Sequence, residues 1–149
     1  MSINADEVSS FFEKTLQICV EWLGLKSAAT VILRILYLQR GAFLSTKEIS
    51  AKTGLSLTSV SLTCTQLEAL GVLRRETEYH KRKGRPRKLI CIEGGIYELL
   101  KLGIKMHLGR IERIYDAIKE LKPVMGNESI IVNLDNLALA LGQFLGDYQ

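Results

Sequence analysis

Histidine, the side chain that most often performs acid and base catalysis near neutral pH, is almost absent from this chain. The 149 residues contain only His80 and His107, which fall in different predicted elements. No glycine-rich phosphate-binding loop is present, and the acidic residues are scattered along predicted helix surfaces rather than grouped at metal-ligand spacing. The sequence therefore predicts that the protein is not an enzyme and has no metal or cofactor.

Cysteine is also scarce, and its three positions, Cys19, Cys64 and Cys91, show neither a disulfide framework nor a metal-binding pattern. We expect these side chains to be reduced and buried as small apolar groups. No segment reads as both apolar and long enough to span a bilayer, and the N-terminus lacks a basic region followed by an apolar signal core. These absences predict a cytoplasmic protein without a membrane partner.

The middle of the chain has the pattern of two short helices joined by a tight turn. Ser45 or Thr46 can cap the first helix, and Gly54 can end it in the left-handed conformation. Ser56 can cap the second helix, which Gly71 ends. One apolar face of the second helix is formed by Val60, Cys64, Leu67 and Leu70, at spacings of four and three. Two such helices predict a helix-turn-helix.

The opposite face of the second helix consists mainly of small hydroxyl side chains. Such groups can approach phosphates and base edges without steric conflict, so this is a candidate recognition helix. The candidate DNA-contacting residues here are Ser56, Thr58, Ser59, Ser61, Leu62, Thr65 and Gln66. No Arg, Lys or Asn projects from its first two turns, so we expect direct base readout to be modest.

Two β-rich runs, residues 72–79 and 87–93, follow this helix and predict a hairpin, the wing of a winged helix. Residues 74–88 contain eight of the twenty Lys and Arg residues and only two acidic residues. This window carries a charge of +6 and the rest of the chain −2. A basic hairpin beside a helix-turn-helix is the expected electrostatic footprint of a DNA-binding surface. The simpler alternative is a solvated hairpin tip.

The loop of the wing contains the predicted minor-groove contact. Gly84 lets the backbone approach the groove floor, and Pro86 biases Arg85 toward an extended conformation. Narrow minor grooves concentrate negative potential, so Arg85 is expected to insert there. The residues expected to bind the flanking phosphates are Lys81, Arg82, Lys83, Arg87 and Lys88.

Residues 44–94 resemble the winged helix of the MarR superfamily of dimeric transcription regulators, in particular its archaeal and GbsR-like members. The resemblance rests on the string SLTSVSLTCTQLEALGVLRR, which ends in the superfamily's Leu-Glu-x-x-Gly-apolar-apolar-x-Arg signature, and on the basic wing. It implies a homodimer with interleaved terminal helices that binds double-stranded DNA. Residues 83–88 are also similar to the core of the AT-hook, with Lys83 where that motif has Arg.

The two ends of the chain predict dimerisation helices. Residues 1–23 form an amphipathic helix pattern with Asn4 and Asp6 as candidate caps. Residues 96–122 predict a helix that, at ~1.5 Å per residue, is longer than a winged-helix body needs. A final apolar helix follows, with Ser129 as its predicted cap. The residues predicted to form the dimer interface are Phe11, Phe12, Trp22, Ile104, Ile111, Ile118 and Phe144.

The predicted fold is therefore mostly α (α+β), a winged helix-turn-helix with N- and C-terminal dimerisation helices. We assign residues 1–25 to the N-terminal dimerisation helix, 26–94 to the DNA-binding domain and 95–149 to the C-terminal dimerisation region. The first helix of the DNA-binding domain is predicted over residues 26–40. Its apolar positions, expected to face the core, are Ala28, Val31, Ile32, Ile35, Leu36 and Leu38.

Two functions stay open on this pattern. The first is a sequence-specific regulator that acts as a homodimer, with recognition helices in the major groove and wings in the minor groove. The second is an architectural, nucleoid-associated protein that binds DNA with little sequence preference. A small-molecule effector between the winged helix and the dimerisation helices is a further option. Sensing by Cys19, which lies mid-helix, or by His107, which lies on an apolar stripe, is the less favoured alternative to simple packing.

Overall fold

The computed structural model of the chain describes residues 4–39, 41–78, 84–121 and 128–147. Its elements are α1 (Ala5–Trp22), α2 (Ala28–Leu38), β1 (Leu44–Ser45), α3 (Thr46–Thr53), α4 (Leu57–Ala69), β2 (Leu73–Glu78), β3 (Arg87–Ile92), α5 (Ile96–Leu121) and α6 (Glu128–Asp147). The mostly helical fold with one small sheet confirms the predicted class. The chain divides into two compact units, Met1–Leu102 and Gly103–Gln149. The assignment of functional roles to three segments stays a prediction.

Helix α1 begins with a capping box, because the first N–H groups of a helix have no acceptor inside it. The backbone N–H of Glu7 donates to Asn4 Oδ1 at 2.8 Å, and the Asn4 N–H donates to Glu7 Oε2 at 3.1 Å. This confirms Asn4 as the cap. The helix packs against α2, where the ring of Phe12 meets that of Tyr37 edge-on at 6.1 Å. The residues of α1 that this packing buries are Leu16, Cys19 and Val20.

Helix α2 corrects the predicted core face. Its buried residues are Ala29, Ile32, Leu33 and Leu36. Val31 and Leu38, predicted to face inward, are exposed, and Leu38 retains 67% of its accessible surface. The segment is apolar on nearly every side, so spacing alone does not select a face. Packing against α1, α3 and α4 decides which side is buried.

The helix-turn-helix is formed by α3 and α4, and its predicted caps are confirmed. The Ser45 hydroxyl accepts from the Glu48 N–H at 3.2 Å, while the Ser45 N–H donates to Glu48 Oε2 at 2.7 Å. Gly54 ends α3 at φ +74°, a conformation that a side chain would strain. The Ser56 hydroxyl then caps α4 by accepting from the Ser59 N–H at 3.1 Å.

The wing is an antiparallel hairpin of β2 and β3, with Leu73 opposite Ile92 and Glu78 opposite Arg87. Strand β1 pairs with the other edge of β3, which gives the order β1-β3-β2. The sequence did not predict β1, because two residues are too few to show an alternating pattern. This strand joins the wing to the first turn of α3.

The C-terminal unit contains most of α5 together with α6, and it exposes an unusual amount of apolar surface. Gly142 of α6 lies beside Tyr115 of α5, since a Cβ placed there would be 3.5 Å from the tyrosine ring. Helix α6 begins at Glu128, so the predicted cap Ser129 lies inside it. The exposed large apolar residues of this unit are Ile104, Ile114, Leu121, Ile130, Val132, Leu137, Leu139 and Phe144.

Helix α6 also corrects the expectation that no segment could span a bilayer. By length and composition alone, Ser129–Asp147 is long and apolar enough to do so, with a mean hydropathy of 1.3. Its two charged residues, Asp135 and Asp147, do not offset eleven aliphatic and aromatic neighbours. Core helices of soluble proteins pass the same test, so this finding does not by itself indicate a membrane protein.

Candidate nucleic-acid interface

Helix α4 has one buried and one exposed face, as its sequence predicted. The buried residues are Val60, Thr63, Cys64 and Leu67. On the other side Leu62 keeps 64% of its accessible surface. Among the predicted DNA-contacting residues, Ser59 is half-buried and the exposed ones are Ser56, Thr58, Ser61, Leu62, Thr65 and Gln66.

Arg75 of β2 connects the wing to this helix. Its Nη2 donates to the Thr65 hydroxyl at 2.9 Å, and its Nε lies 3.0 Å from Glu68 Oε2. The Arg75 side chain is only 22% exposed, so these contacts are better shielded from solvent than a surface ion pair. The sequence signature contains both Glu68 and Arg75, but its spacing did not predict that the two residues meet.

The hydroxyl of Thr65 is consequently engaged within the protein. It donates to the Ser61 backbone carbonyl at 2.9 Å and accepts from Arg75. A hydroxyl has one proton to donate, so this Thr65 conformer has none left for a base edge or a phosphate. Of the hydroxyl residues on the exposed face, Ser61 is the one that also lines the cleft beside the wing.

Arg87, at the start of β3, lies against the first turn of α3. Its Nη2 donates to the Ser45 hydroxyl at 3.3 Å and is 3.8 Å from Glu48 Oε2. The pKa of Glu48 is lowered, first by the hydrogen bond from the Ser45 backbone, then by the Ser45 hydroxyl, and to a lesser extent by Arg87. Glu48 is therefore ionised at neutral pH, and Arg87 is partly neutralised by it.

An open cleft of about 650 Å³ lies between α3, α4 and the wing. Among the residues that the structure describes, five cationic side chains and no carboxylate line it, so it favours an anion. Lys47 and Arg75 belong to this set although they were not among the predicted contacts. The lining residues are Ser45, Thr46, Lys47, Ser61, Arg75, Arg85, Pro86, Arg87, Lys88 and Ile90.

The structure describes only some of the residues predicted to contact DNA from the wing. Gly84, Arg85 and Lys88 are exposed, and the last two line the cleft. Lys81, Arg82 and Lys83 lie outside the described residues, as does His80.

The cysteines are placed for packing rather than for reaction. All three are buried. Burial raises the pKa of the Cys64 thiol to about 11 and also raises that of Cys19. Both thiols are therefore protonated at neutral pH, and a protonated thiol is a poor nucleophile. The described residues contain no group of three side chains that could hold a metal ion.

A small cavity of about 160 Å³ lies within the N-terminal unit, between α2, the end of α4 and the first turns of α5. Ligand pockets for drug-sized molecules occupy roughly 300–1,000 Å³. This cavity is too small for such a ligand in the conformation described, so it gives no support to the small-molecule effector. It is lined by Tyr37, Leu70, Gly71, Val72, Glu93, Glu98, Leu99 and Leu102.

The residues predicted to form the dimer interface differ in accessibility. Phe11 retains 73% of its accessible surface, and Trp22, Ile104 and Phe144 are also exposed. Phe12 and Ile111 are half-buried. Ile118 is only 6% exposed, so it already packs within its own chain.

Known proteins that resemble this chain are transcriptional regulators. Residues 23–83 match the model of the MarR family. A possible transcriptional regulator from Methanosarcina mazei Go1 is similar in structure, with 15% sequence identity and a TM-score of 0.59, over 70% of this chain and 85% of that one. Another transcriptional regulator has 15% identity and a TM-score of 0.58, over 91% of this chain and 88% of its own. No curated protein sequence gives a significant match. At these identities the structural likeness shows the fold.

Proposed function

We propose that this chain is a winged-helix transcription regulator of the MarR family that acts as a homodimer on double-stranded DNA, because residues 23–83 match the model of that family. Members of this family are transcriptional regulators and not enzymes. Assignment to the archaeal or GbsR-like subtype stays a prediction. The observation that carries the proposal is the cationic cleft between α3, α4 and the wing. Its described lining has five cationic side chains and no carboxylate, and two of them, Arg75 and Arg87, are paired with glutamates beside it.

The proposed docking places α4 in the major groove and the wing against the neighbouring minor groove. The exposed hydroxyl face of α4 is narrow enough to approach base edges, and the cleft beside it would receive the intervening phosphate backbone. In a two-fold symmetric dimer the second α4 would enter the next major groove, about 34 Å away.

The experiment that tests DNA binding is a titration of labelled duplex, followed by fluorescence anisotropy at several salt concentrations. We expect the logarithm of the association constant to fall linearly with the logarithm of salt concentration, with a slope of about −0.9 for each phosphate neutralised. Absence of binding to any duplex at low salt would overturn the proposal.

The homodimer is supported by the exposed apolar residues of the C-terminal unit. Among the described residues of this unit, eight large apolar side chains are exposed, far more than scattered surface positions explain. A second copy of the chain is the occupant we propose, because a two-fold contact covers the same patch on both partners.

Leu139→Glu is expected to weaken the dimer strongly, because the contact would bury an unpaired charge. Leu139 is exposed in the single chain, so its replacement should leave the protomer folded. Leu139→Gln is the matched control, because glutamine has nearly the shape of glutamate without its charge and should weaken the dimer much less. Light scattering at micromolar concentration would measure both variants. Equal dimer fractions for the two variants, or a monomeric wild type, would contradict the proposed interface.

Arg85→Ala is expected to weaken binding about tenfold on duplexes with AT-rich flanks, and much less on GC-rich flanks. A narrow AT-rich minor groove concentrates negative potential and favours an inserted arginine. Lys88, which is exposed and lines the same cleft, is the control: Lys88→Ala should weaken both duplexes about equally, as a phosphate ligand does. Equal losses on both duplexes for Arg85→Ala would reduce the wing to a nonspecific phosphate clamp.

The architectural function is the second candidate, and the placement of the Thr65 hydroxyl favours it. With that proton engaged at Ser61 and no long donor on the first two turns of α4, base readout has few groups available. Chromatin immunoprecipitation with sequencing in the host cell separates the two functions. A few sharp palindromic peaks would indicate a sequence-specific regulator, and broad coverage would indicate a nucleoid-associated architectural protein.

A further inference from the structure

Two contacts join Arg75 of the wing to the recognition helix, and a third fixes one of its partners, Thr65, within that helix. Arg75 Nη2 donates to Thr65 Oγ1 at 2.9 Å, Arg75 Nε pairs with Glu68 Oε2 at 3.0 Å, and Thr65 Oγ1 donates to the Ser61 carbonyl at 2.9 Å. Thr65 and Glu68 are three residues apart, so both side chains lie on one side of α4. The planar guanidinium therefore spans almost one turn of that helix.

The neighbouring arginine makes no such connection. Arg74 pairs with Glu76 at 3.1 Å and with Glu93 at 3.3 Å, and its guanidinium lies over the Phe43 ring. Successive residues of a strand point to opposite faces, which explains why only Arg75 reaches α4. The chain thus supplies two adjacent arginines of equal charge, only one of which contacts the recognition helix in the structure.

We propose that Arg75 is a positioning residue for DNA binding, which fixes the wing to the recognition helix through Glu68 and Thr65. This inference rests on the proposed function. The backbone links α4 to the wing through the short turn after α4, and β1 links β3 to the first turn of α3. Side-chain contacts add to these links in setting the orientation of the wing relative to α4. A fixed orientation lets the helix and the wing meet their two grooves together, with less conformational entropy lost on binding.

The competing role is direct contact, because Arg75 also lines the cationic cleft. The two roles predict opposite effects for Glu68→Gln. This change removes a negative charge beside the proposed DNA surface, so long-range electrostatics alone would strengthen binding. If Glu68 instead holds Arg75 in place, the variant binds more weakly, by about two- to fivefold for one lost, partly exposed ion pair.

The experiment measures duplex affinity for five variants at fixed salt. We expect Arg75→Ala to lose about tenfold or more and Arg75→Lys to recover only part of that loss, since lysine keeps the charge but not the planar fork. Arg74→Ala, with the same change in charge on the same strand, should lose about twofold. Glu68→Gln should bind more weakly than wild type, and Thr65→Val should do so as well.

The combination of Arg75→Ala with Thr65→Val separates a shared contact from independent ones. If the two residues act through one contact, the double variant should bind DNA about as weakly as Arg75→Ala alone. If each contacts DNA independently, the fold-losses in affinity of the two single variants should multiply. Thr65→Val is nearly isosteric and lies on the exposed face, so it should not destabilise the fold. It therefore still tests the contact if Arg75→Ala lowers the melting temperature.

Several outcomes would overturn the inference. These are tighter binding by Glu68→Gln, wild-type affinity for Arg75→Lys, equal losses for Arg74→Ala and Arg75→Ala, or multiplicative losses in the double variant. A wild-type protein that binds no duplex at all would instead contradict the proposed function itself. The two failures are therefore distinguishable.

Discussion

Ser61→Glu is expected to abolish DNA binding, with a loss of at least about a hundredfold, while leaving the melting temperature nearly unchanged. Ser61 is exposed on α4 and lines the cationic cleft, where we place the phosphate backbone. A carboxylate there would repel nearby phosphates and pair with the cleft cations that would otherwise bind them. Glutamate has at least the helix propensity of serine, so α4 itself should not be destabilised.

Ser61→Gln is the matched control, since glutamine has nearly the shape of glutamate without its charge. A small loss of DNA affinity for Ser61→Gln and a large loss for Ser61→Glu would show that the effect is phosphate repulsion. Similar losses for both would indicate a steric role for this position, and normal binding by Ser61→Glu would show that the assigned face is wrong. Anisotropy titrations and thermal melting of the same preparations provide both readouts.

Most of the elements that position this interface could be predicted from the sequence, because local chemistry determines where they start and end. Serine hydroxyls at Ser45 and Ser56 accept the free N–H groups of α3 and α4. Gly54 adopts the left-handed conformation between them. The exposed hydroxyl face of α4 follows from the 3.6-residue period of a helix. The serine caps, Gly54 and this spacing each lie within a few residues of the helix end or face that they determine.

The partners of the arginines could not be predicted in the same way. Arg87 reaches Ser45 across 42 positions and Arg75 reaches Thr65 across ten, and both distances depend on how the hairpin folds back. The contacts of Arg87 with Glu48 and Ser45 were not predicted, while its role as a phosphate ligand stays a prediction. The core face of α2 was misassigned because its composition is apolar on nearly every side.

Leu67→Ala is expected to lower the free energy of unfolding by about 2–5 kcal/mol, because Leu67 is completely buried. Removing three carbon atoms from a filled core loses their burial and leaves a cavity that the neighbours fill only in part. Chemical denaturation at a fixed protein concentration measures the change, since the stability of a dimer depends on concentration. An effect below about 1 kcal/mol would contradict the assigned core face.

Leu62→Ala is the control for Leu67→Ala, because it makes the same replacement on the same helix at an exposed position. Both leucines lie on α4, and the change in helix propensity is the same, but Leu62 is 64% exposed. We therefore expect Leu62→Ala to change stability by less than about 0.5 kcal/mol. If α4 enters the major groove, this same variant loses apolar contact with DNA, for example with thymine methyl groups, and so weakens binding. A larger loss of stability for Leu67→Ala together with a larger loss of DNA affinity for Leu62→Ala would establish that one face of α4 packs in the core and the other contacts DNA.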